Sequence, residues 1–249
     1  MKIVSYNIHK GYGPRNSTFV LDNMREALKY IDADIVFLQE VQGRHRRTRL
    51  PLKKKPKTHE PQTEYLAEKT WPYFIYGKNA IYGNAHHGNA MLSKYPFVKW
   101  ENVDVSLTKR ASRSLLHGVI EHQAMHLHVI CVHLGLFHRE RDLQISALSQ
   151  RIQAIIKDHE PLIIAGDFND WRKRQMLELE NDLGLNEVFK TLQGEHAKSY
   201  PSRRPAFAID RIYYRNLELR HGEVFSEHPW KKLSDHLPLF AEFRMMNSK

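Results

Sequence analysis

Polar side chains that could do chemistry recur at one kind of place in the sequence, at the ends of short apolar runs. They are Asn7, Glu40, Asp167, Asn169, Asp235 and His236. Strand ends that converge on one rim of a sheet are where functional sites are commonly built. Each residue alone fits an ordinary turn or surface position, but the ordered set predicts a common site.

The residue types in this set favour chemistry on phosphate. The hard oxygen ligands are Asn7, Glu40, Asp167 and Asn169. Such ligands suit Mg²⁺ or Mn²⁺, and a divalent cation beside a phosphate oxygen offsets the charge that grows in a transition state. His236 is a natural general base for activating water, and Asp210 is the candidate for fixing its tautomer. His133, which ends another apolar run, could donate to a phosphate oxygen.

Strand-like and helical segments that must position these residues alternate along the chain. We predict strands over 1–8, 35–38, 161–165, 209–214, 217–225 and 237–243, short strands between 74 and 105, and a hairpin of 115–121 with 125–133. The hairpin implies mixed rather than wholly parallel sheets. Two packed sheets with helices on the outside are the simplest arrangement of these segments.

Three helices are predicted between the strands. The best spans 139–158, and its apolar stripe is Leu143, Leu148, Ile152 and Ile155. Another follows a cap at Ser17 or Thr18. Its apolar face is Val20, Met24, Leu28 and Ile31. A short helix covers 64–71 and ends before a proline.

Composition limits the class of protein. The chain has 249 residues, of which 41% are hydrophobic, and a formal charge of +10. That length fits a single domain over 1–249. A lone cysteine, Cys131, excludes an intramolecular disulfide framework and a multi-cysteine metal site. The polar N-terminus and the lack of an apolar run near roughly 20 residues predict a cytoplasmic protein without a signal peptide or transmembrane segment. We also expect a monomer, although the sequence leaves the oligomeric state open.

One segment stands out by its charge. Between Arg44 and Lys57 lie eight Lys or Arg and no Asp or Glu. With Pro51 and Pro56, this composition predicts an exposed basic loop over 42–63. The loop is either a solvated surface or an electrostatic arm that holds phosphates, and the sequence leaves both open.

The ordered motifs resemble those of the endonuclease/exonuclease/phosphatase family. That family includes deoxyribonuclease I-like nucleases, abasic-site endonucleases, inositol-polyphosphate 5-phosphatases and neutral sphingomyelinases. The resemblance rests on Asn7, Gln39-Glu40, His133, Gly166-Asp167-Phe168-Asn169, Asp210 and Ser234-Asp235-His236. It spans nearly the whole chain and looks closest to small, uncharacterised bacterial members. It implies a deoxyribonuclease I-like four-layer α/β sandwich, two packed mixed β-sheets flanked by helices, and a Mg²⁺- or Mn²⁺-dependent phosphoesterase.

The resemblance also implies which residues hold the metal and the phosphate. Glu40 would be the main metal ligand, Asn7 would support the metal or the phosphate, and Asp235 would be a second carboxylate on the metal side. Arg113 falls where many family members place an arginine near phosphate, although a surface arginine fits the sequence nearly as well. Asn89 is a weaker phosphate candidate of the same kind.

Catalytic roles follow from the same resemblance. Asp167 would orient or activate the attacking water, and Asn169 would bind phosphate or metal. Asp210 would pair with His236, and His133 would stabilise the phosphorane-like transition state. Because family members differ in which group is the base, Asp167 and His236 could exchange roles.

Other residues have ordinary structural interpretations. Cys131 is expected in the core. His126 and His128 alternate along one strand and resemble a metal pair, but we expect an exposed hairpin face because no carboxylate stands beside them in sequence. Trp171 or Trp230 could form a platform for a base or headgroup. Packing under a loop is the interpretation we favour for Trp171.

Three functions fit these observations. The favoured one is a metal-dependent phosphodiesterase, an endonuclease or exonuclease, acting on nucleic acid. The alternative keeps the same chemistry for a phospholipid, phosphoinositide or small phosphoester, with the basic loop on an anionic membrane surface. A non-enzymatic phosphate-binding protein is disfavoured, because no member of the catalytic set is replaced. The number of metals and the cleavage mode stay open.

Overall fold

The computed structural model describes residues 1–16, 18–44, 61–82, 85–107, 112–122, 125–171 and 177–246. Its strands are β1 (Lys2–Asn7), β2 (Ile35–Arg44), β3 (Tyr73–Tyr82), β4 (Ala85–Ser93), β5 (Phe97–Asp104), β6 (Ser114–His122), β7 (Met125–His133), β8 (Leu162–Asp167), β9 (Asn186–Glu187), β10 (Asp210–Arg215), β11 (Leu217–Val224) and β12 (Leu239–Met245). Its α-helices are α1 (Leu21–Ile31), α2 (Gln62–Ala67), α3 (His138–Ile155), α4 (Leu177–Asp182) and α5 (Val188–Gln193). The strands expected from the sequence are all present within a few residues, except that β2 continues past the predicted end at 38 to Arg44.

Within the described chain, the strands form two mixed sheets of six. The first has the order β11-β12-β1-β2-β4-β3 and the second β5-β6-β7-β8-β10-β9. Each contains one parallel pair, β1 with β2 and β7 with β8, and its other neighbours are antiparallel. The carboxyl ends of each parallel pair therefore lie at the same edge of their sheet.

Alternating side chains divide the core into three layers of contact. Between the sheets pack Ile3, Phe37, Met91, Leu116, Cys131 and Ile163. The outer face of the first sheet packs on α1 and α2 through Val4, Val36, Leu38, Met24, Leu28 and Leu66. The outer face of the second packs on α3 through Ile130, Ile164, Leu148 and Ile152. This is the four-layer α/β sandwich expected, with Cys131 in its core. None of the described helices is long and apolar enough to cross a membrane.

The start of α1 differs from the prediction. The helix begins at Leu21 after Val20, without a side-chain cap. The Thr18 carbonyl instead accepts a hydrogen bond from the Gly13 amide at 3.0 Å, which holds Thr18 in the preceding loop. The predicted cap at Thr18 is therefore wrong, and Ser17 lies outside the described residues. The apolar face is confirmed, because Met24 and Leu28 are buried.

The stripe predicted for α3 is only half right. Leu148 and Ile152 are buried, but Leu143 is 57% exposed and Ile155 is 43% exposed. Polar Gln144 takes a buried position at the start of the helix and accepts a hydrogen bond from the Gly135 amide at 2.8 Å. Because the loop before α3 needs partners for its backbone, polar side chains replace apolar ones there.

The expected exposed face at His126 and His128 is wrong for His128. His126 is exposed, whereas His128 is buried and its Nδ1 lies 3.0 Å from Nε2 of His117 on β6. Its Nε2 lies 3.5 Å from the Glu160 carboxylate, a neighbour that only the fold supplies. Most of the basic loop predicted over 42–63, from residue 45 to residue 60, lies outside the described residues.

Candidate active site

Three neighbouring strands of the second sheet bring three candidate residues side by side. His133 ends β7 and is in register with Asp167, which ends the parallel strand β8. Asp167 is in turn opposite Asp210, which begins the antiparallel strand β10. All three residues are buried. Strand pairing alone therefore places His133, Asp167 and Asp210 side by side.

Asn7 connects this group to the first sheet. Its Nδ2 donates to Oδ2 of Asp167 at 3.2 Å, and its Oδ1 accepts from the His9 amide at 3.1 Å. The Asn169 amide donates to Oδ1 of Asp167 at 3.0 Å. The Asn169 side chain is turned away from Asp167, because its Nδ2 donates to the Leu134 carbonyl at 3.0 Å. Both oxygens of Asp167 thus accept from groups that fix its orientation.

Asp210 and His236 form a buried dyad. Nδ1 of His236 lies 2.8 Å from Oδ2 of Asp210, so this nitrogen carries a proton and donates. The other ring nitrogen, Nε2, lies 3.9 Å from Oδ2 of Asp167. The Ser199 hydroxyl also donates to Oδ2 of Asp210. The dyad therefore turns Nε2 of His236 toward Asp167, as the sequence-based pairing of Asp210 with His236 expected.

Burial and charge set the protonation of this cluster. Burial and the neighbouring Asp210 raise the pKa of Asp167 to about 7. Burial lowers the pKa of His236, but Asp210 and Asp167 outweigh burial and raise it to about 10. Burial and the Arg113 guanidinium hold the pKa of His133 well below its usual range. Near neutral pH, His236 is therefore cationic, His133 is neutral, and Asp167 exchanges a proton most readily.

Glu40 is aimed by an irregularity in β2. The pairing of β2 with β4 shifts register between Leu38 and Val41, and Glu40 has a positive φ of 58°. A β-bulge of this kind redirects a side chain, and a left-handed conformation at a non-glycine residue costs of order 1–3 kcal/mol. Asn169 also has a positive φ, of 49°, but asparagine adopts this conformation more readily than glutamate. Strained residues that persist in a fold concentrate at functional sites.

Basic groups face Glu40. Nζ of Lys10 lies 2.8 Å from its Oε2. Burial raises the pKa of Glu40, but the neighbouring basic groups, Lys10 among them, outweigh burial and bring it down to about 2. Asp235 lies nearby in the fold, with Oδ1 at 3.5 Å from Nδ1 of His9. His9 and Lys10 lie two and three residues after Asn7, so both carboxylates contact the short turn that follows Asn7.

The donor atoms of this turn fit a hard divalent cation. Asn7, Glu40 and Asp235 offer only oxygen, and an ammonium group already lies against Glu40. A second place also fits, because ligand atoms of Asp167, Asp210 and His236 lie within 4.8 Å of one another. There, however, Asp210 and His236 are committed to each other by their hydrogen bond. Both the turn at Glu40 and the cluster of Asp167, Asp210 and His236 are therefore candidate cation sites.

The two predicted phosphate ligands have different surroundings. Nε of Arg113 donates to the Leu134 carbonyl at 3.3 Å, which holds the guanidinium beside His133. Asn89 is fully buried, and its Nδ2 donates to the Ser114 carbonyl at 3.2 Å and more weakly to the Cys131 carbonyl at 3.4 Å. Asn89 therefore ties the two sheets together, which favours a structural role over contact with phosphate.

The comparison with known proteins agrees with this geometry. A profile of the Endonuclease/Exonuclease/phosphatase family matches residues 4–236. The chain belongs to the endonuclease/exonuclease/phosphatase family. A relative in Escherichia coli (strain K12), the uncharacterized protein YbhP, is 39% identical over 246 residues, which cover 98% of this chain and 96% of that protein.

Solved structures share the fold. TDP2 of D. rerio, complexed with a single strand DNA product, has a TM-score of 0.72 at 18% identity and covers 98% of this chain and 99% of its own. The mannosyl-6-phosphatase of Bacteroides thetaiotaomicron has a TM-score of 0.71 at 15% identity and covers 98% of this chain and 100% of its own. At these identities the likeness shows the fold alone. Membership of the family suggests phosphoesterase activity. Of the two solved structures, one contains a single strand DNA product and the other is named a mannosyl-6-phosphatase.

Several side chains of this family member belong to the site but were missed as site residues. Lys10 and His9 contact the predicted metal ligands Glu40 and Asp235. The signal available was their place two and three residues after Asn7, one of the residues on which the family resemblance rests. Ser199 was not foreseeable, because it lies 11 residues before Asp210 and meets it only through the fold.

Ser234 was noted only as part of a motif. Its hydroxyl donates to the Asn7 carbonyl at 2.7 Å, which fastens the loop bearing His236 to the end of β1. Of the two tryptophans that could form a platform, the structure leaves only Trp171 exposed, against the packing favoured for it. Trp171 is 39% exposed and packs edge-on against Phe207 at 4.8 Å, while Trp230 is buried against Tyr6 and Phe225.

Proposed function

We propose that this protein is a divalent-metal-dependent phosphoesterase that hydrolyses phosphodiester bonds in nucleic acid. One observation carries the proposal. Asp167 lies between a cationic His236 held by Asp210 and the amide of Asn7, at the shared rim of both sheets. This arrangement supplies a base and a fixed positive charge at one point, as hydrolysis of an anionic ester requires.

Asp167 is the proposed base for the attacking water. Its pKa of about 7 places it near the operating pH, where a general base works best. Asn7 and the Asn169 amide hold its carboxylate in one orientation. This assignment keeps the role that the resemblance implies for Asp167 and drops His236 as the base, because a His236 that is already protonated cannot accept the proton.

His236 would instead stabilise the charge that grows on the phosphate oxygens. Asp210 keeps the imidazolium protonated and oriented. The neutral His133 would donate a further hydrogen bond, and Arg113 would bind a second phosphate oxygen. Fixed donors aimed at developing charge commonly account for a large part of catalysis.

Glu40, with Asn7 and Asp235, would hold Mg²⁺ or Mn²⁺. The metal would supply a Lewis acid for a phosphate oxygen. The strained backbone of Glu40 and its bulge support this assignment, because such a conformation is retained at a cost. Lys10 would lie beside the same carboxylate and adjust its charge.

The substrate class rests on the surroundings of the site. Exposed Trp171 and Phe207 lie near Tyr200, whose ring is 4.9 Å from that of His236. Exposed aromatic faces beside a phosphate site suit the bases of a single strand. A lipid or small phosphoester is the second candidate, because Leu136 and Phe137, 61% and 76% exposed, follow the strand of His133.

An activity panel tests the proposal. Single- and double-stranded DNA, RNA, anionic phospholipid, phosphoinositide and a bis-aryl phosphodiester would be incubated with the protein in Mg²⁺, in Mn²⁺ and in EDTA. We expect metal-dependent cleavage of nucleic acid that falls at least about 100-fold in Glu40→Gln, Asp167→Asn and His236→Ala. Glu64→Gln, an exposed carboxylate on α2, is the matched control.

The outcomes separate the assignments. Near-normal activity in any two of the three variants would reject the mechanism. Turnover of lipid or small esters with intact nucleic acid would reject the nucleic-acid substrate and favour the second candidate. Titration of Mn²⁺ by calorimetry distinguishes the two cation sites, because Glu40→Gln should abolish binding and Asp210→Asn should retain it.

A further inference from the structure

We propose that a basic groove beside the active site binds the phosphate backbone of the nucleic-acid strand that flanks the cleaved bond. The inference rests on the proposed function and names the path of the substrate. The groove is defined by its basic residues, which are Arg15, Arg203, Arg204, His228 and Lys232. None of them belongs to the motifs that indicated the active site.

Two adjoining clefts form this basic groove. The first, of about 530 Å³, is lined by Asp235 and Tyr200 and therefore begins at the active site. The second, of about 420 Å³, is lined by His228 and Lys232 at its far end. Both share Arg15 along one wall, together with Pro14 and Arg203. The groove thus leads from the catalytic residues across the surface without a break.

The cations of the groove lack acidic partners among the residues that the structure describes. Arg15, Arg203, Arg204 and Lys232 are exposed, and the one carboxylate that lines either cleft is Asp235, at the active-site end. Some cations elsewhere on the surface are paired with carboxylates. Lys94 lies 2.7 Å from Asp32, and Lys29 pairs with Glu68. Unpaired cations gathered in a cleft form a focused positive field.

The backbone that carries these cations is held in place. The Ser202 amide donates to the Asp235 carbonyl at 2.7 Å, and its hydroxyl donates to the Ser234 carbonyl at 2.7 Å. The loop with Arg203 and Arg204 is therefore fastened to the motif that contains His236. On the opposite wall, a Cβ placed on Gly13 would lie 3.0 Å from the Lys232 carbonyl, so the two segments are in close contact.

The arrangement of basic residues along two adjoining clefts favours a nucleic-acid strand over a single small ligand. Cations follow one another along two successive clefts, which suits a strand with one phosphate per nucleotide. A single lipid headgroup would place its charge at one point, and the exposed apolar side chains at Leu136 and Phe137 do not line either cleft. Guanidinium groups bind phosphate through paired hydrogen bonds, which fixes the register of the strand.

Binding in EDTA tests the groove without relying on cleavage. The probe is a fluorescein-labelled oligothymidylate of about 12 nucleotides, followed by anisotropy at salt concentrations from about 50 to 200 mM. We expect Arg15→Gln/Arg203→Gln to bind at least about 10-fold more weakly and to lower the slope of log K against log salt by about 1.4. Arg15→Lys/Arg203→Lys should keep most of the slope, because the charge remains.

A matched control removes two cations from the opposite rim. Arg220 and Arg244 lie near Met1, at the other end of β1, and Arg220→Gln/Arg244→Gln should bind within about twofold of the wild type. Unchanged binding by the groove variant, or equal losses in the two double variants, would overturn the groove. The proposed groove would also be overturned if the groove variant lost binding to anionic phospholipid vesicles but retained oligonucleotide binding.

Failure of the proposed function gives a different result. A wild-type protein that binds the oligonucleotide through the groove but cleaves none in Mg²⁺ or Mn²⁺ would reject the nuclease and support the groove. A wild-type protein that cleaves oligonucleotides, with the same KM in the groove variant, would support the nuclease and reject the groove. A wild type that neither binds nor cleaves would reject both.

Discussion

At the scale of single residues, the site buries two carboxylates, those of Asp167 and Asp210, close together. Asp167 and Asp210 face each other across β8 and β10, both are buried, and His236 is the cation between them. Asp210 is tied to His236 by a hydrogen bond of 2.8 Å, whereas Asp167 accepts from neutral amides. The negative charge of Asp167 is therefore unfavourable in the folded protein, and Asp167 is the residue best placed to accept a proton.

Asp167→Asn should remove this charge and with it a pH dependence of stability. The folded-state pKa of about 7 lies above the ordinary 3.8, so ionised Asp167 lowers the free energy of unfolding as the pH rises between these values. We expect the variant to gain about 1–3 kcal/mol relative to the wild type between about pH 5 and pH 8. Urea denaturation of the metal-free protein at each pH measures this difference.

Asp158→Asn is the control, because that carboxylate is fully exposed and 3.9 Å from its nearest cation. It should leave the pH dependence unchanged. A difference between Asp167→Asn and the wild type that is constant with pH would show that Asp167 does not titrate in this range.

At the scale of elements, a buried ion pair locks the turn after β8 onto β10. Nη2 of Arg211 lies 3.1 Å from Oδ2 of Asp170, and the same nitrogen donates to the Asp170 carbonyl at 3.1 Å. Nη1 of Arg211 donates to the Tyr213 hydroxyl at 3.1 Å. Since Asp170 follows Asn169 and Arg211 follows Asp210, the pair fixes two catalytic segments relative to each other.

Arg211→Met should lower the free energy of unfolding by about 3–5 kcal/mol, because it leaves Asp170 buried without its main partner. Arg211→Met/Asp170→Leu should recover part of that loss, since no buried charge remains. Urea denaturation of both variants and of Asp170→Leu completes a double-mutant cycle. Arg220→Met, which breaks an exposed pair with Glu218, should cost less than about 1 kcal/mol. Equal costs at the two arginines would contradict the role of burial.

A series of side-chain hydrogen bonds joins α3 to the outer face of β6 and β7. Nε of Arg151 donates to Nδ1 of His117 at 3.1 Å, so Nε2 of His117 carries the proton that it shares with His128 at 3.0 Å. Burial and the Arg151 charge lower the pKa of His117 to about 3. Protonation of His117 would turn an acceptor into a donor that faces another donor.

His117→Gln should reduce the acid sensitivity of the fold, because an amide can accept from Arg151 and donate to His128 without titrating. Since the folded pKa of about 3 lies below the ordinary 6.5, the wild type loses stability as the pH falls below about 6.5. This site contributes a slope of up to about 1.4 kcal/mol per pH unit, measurable by thermal or urea unfolding. His221→Gln, at an exposed position on β11, should keep the wild-type slope. Equal slopes in all three proteins would exclude His117 as the cause.

At the scale of the whole molecule, the charge of +10 acts over the surface rather than at one contact. The basic groove accounts for part of it, and the segment between Arg44 and Lys57 for eight further cations. Both would raise the rate of encounter with a polyanion and make its affinity depend on salt. Only the groove lies among the described residues.

Lys53→Gln/Lys54→Gln/Lys55→Gln tests the basic segment. If it holds phosphates, we expect weaker oligonucleotide binding and a slope of log K against log salt that falls by about 2. Lys99→Gln/Arg220→Gln/Arg244→Gln removes the same charge from exposed strand positions and should change the slope less. Anisotropy at several salt concentrations compares the two. Unchanged binding at low salt would make the basic segment a bystander.

Local sequence determined the elements and the residue types of the site. Runs such as 35–38 and 162–166 are apolar on both faces, which fits central strands, and polar residues at their ends point to a rim. The ordered motifs from Asn7 to Ser234-Asp235-His236 indicated the family that the profile confirmed. These features are readable because they depend on neighbours in the chain.

Tertiary structure decided what depends on distant neighbours. Ser199 reaches Asp210, Lys10 reaches Glu40, and Glu160 reaches His128 only after the sheets are paired and stacked. Gln144 is buried and Leu143 exposed because Gln144 accepts a hydrogen bond from the Gly135 amide in the loop before α3. The spacing of apolar residues along the helix does not predict this contact. The groove of Arg15, Arg203 and Lys232 joins segments more than 180 residues apart, and only folding brings their charges into one field.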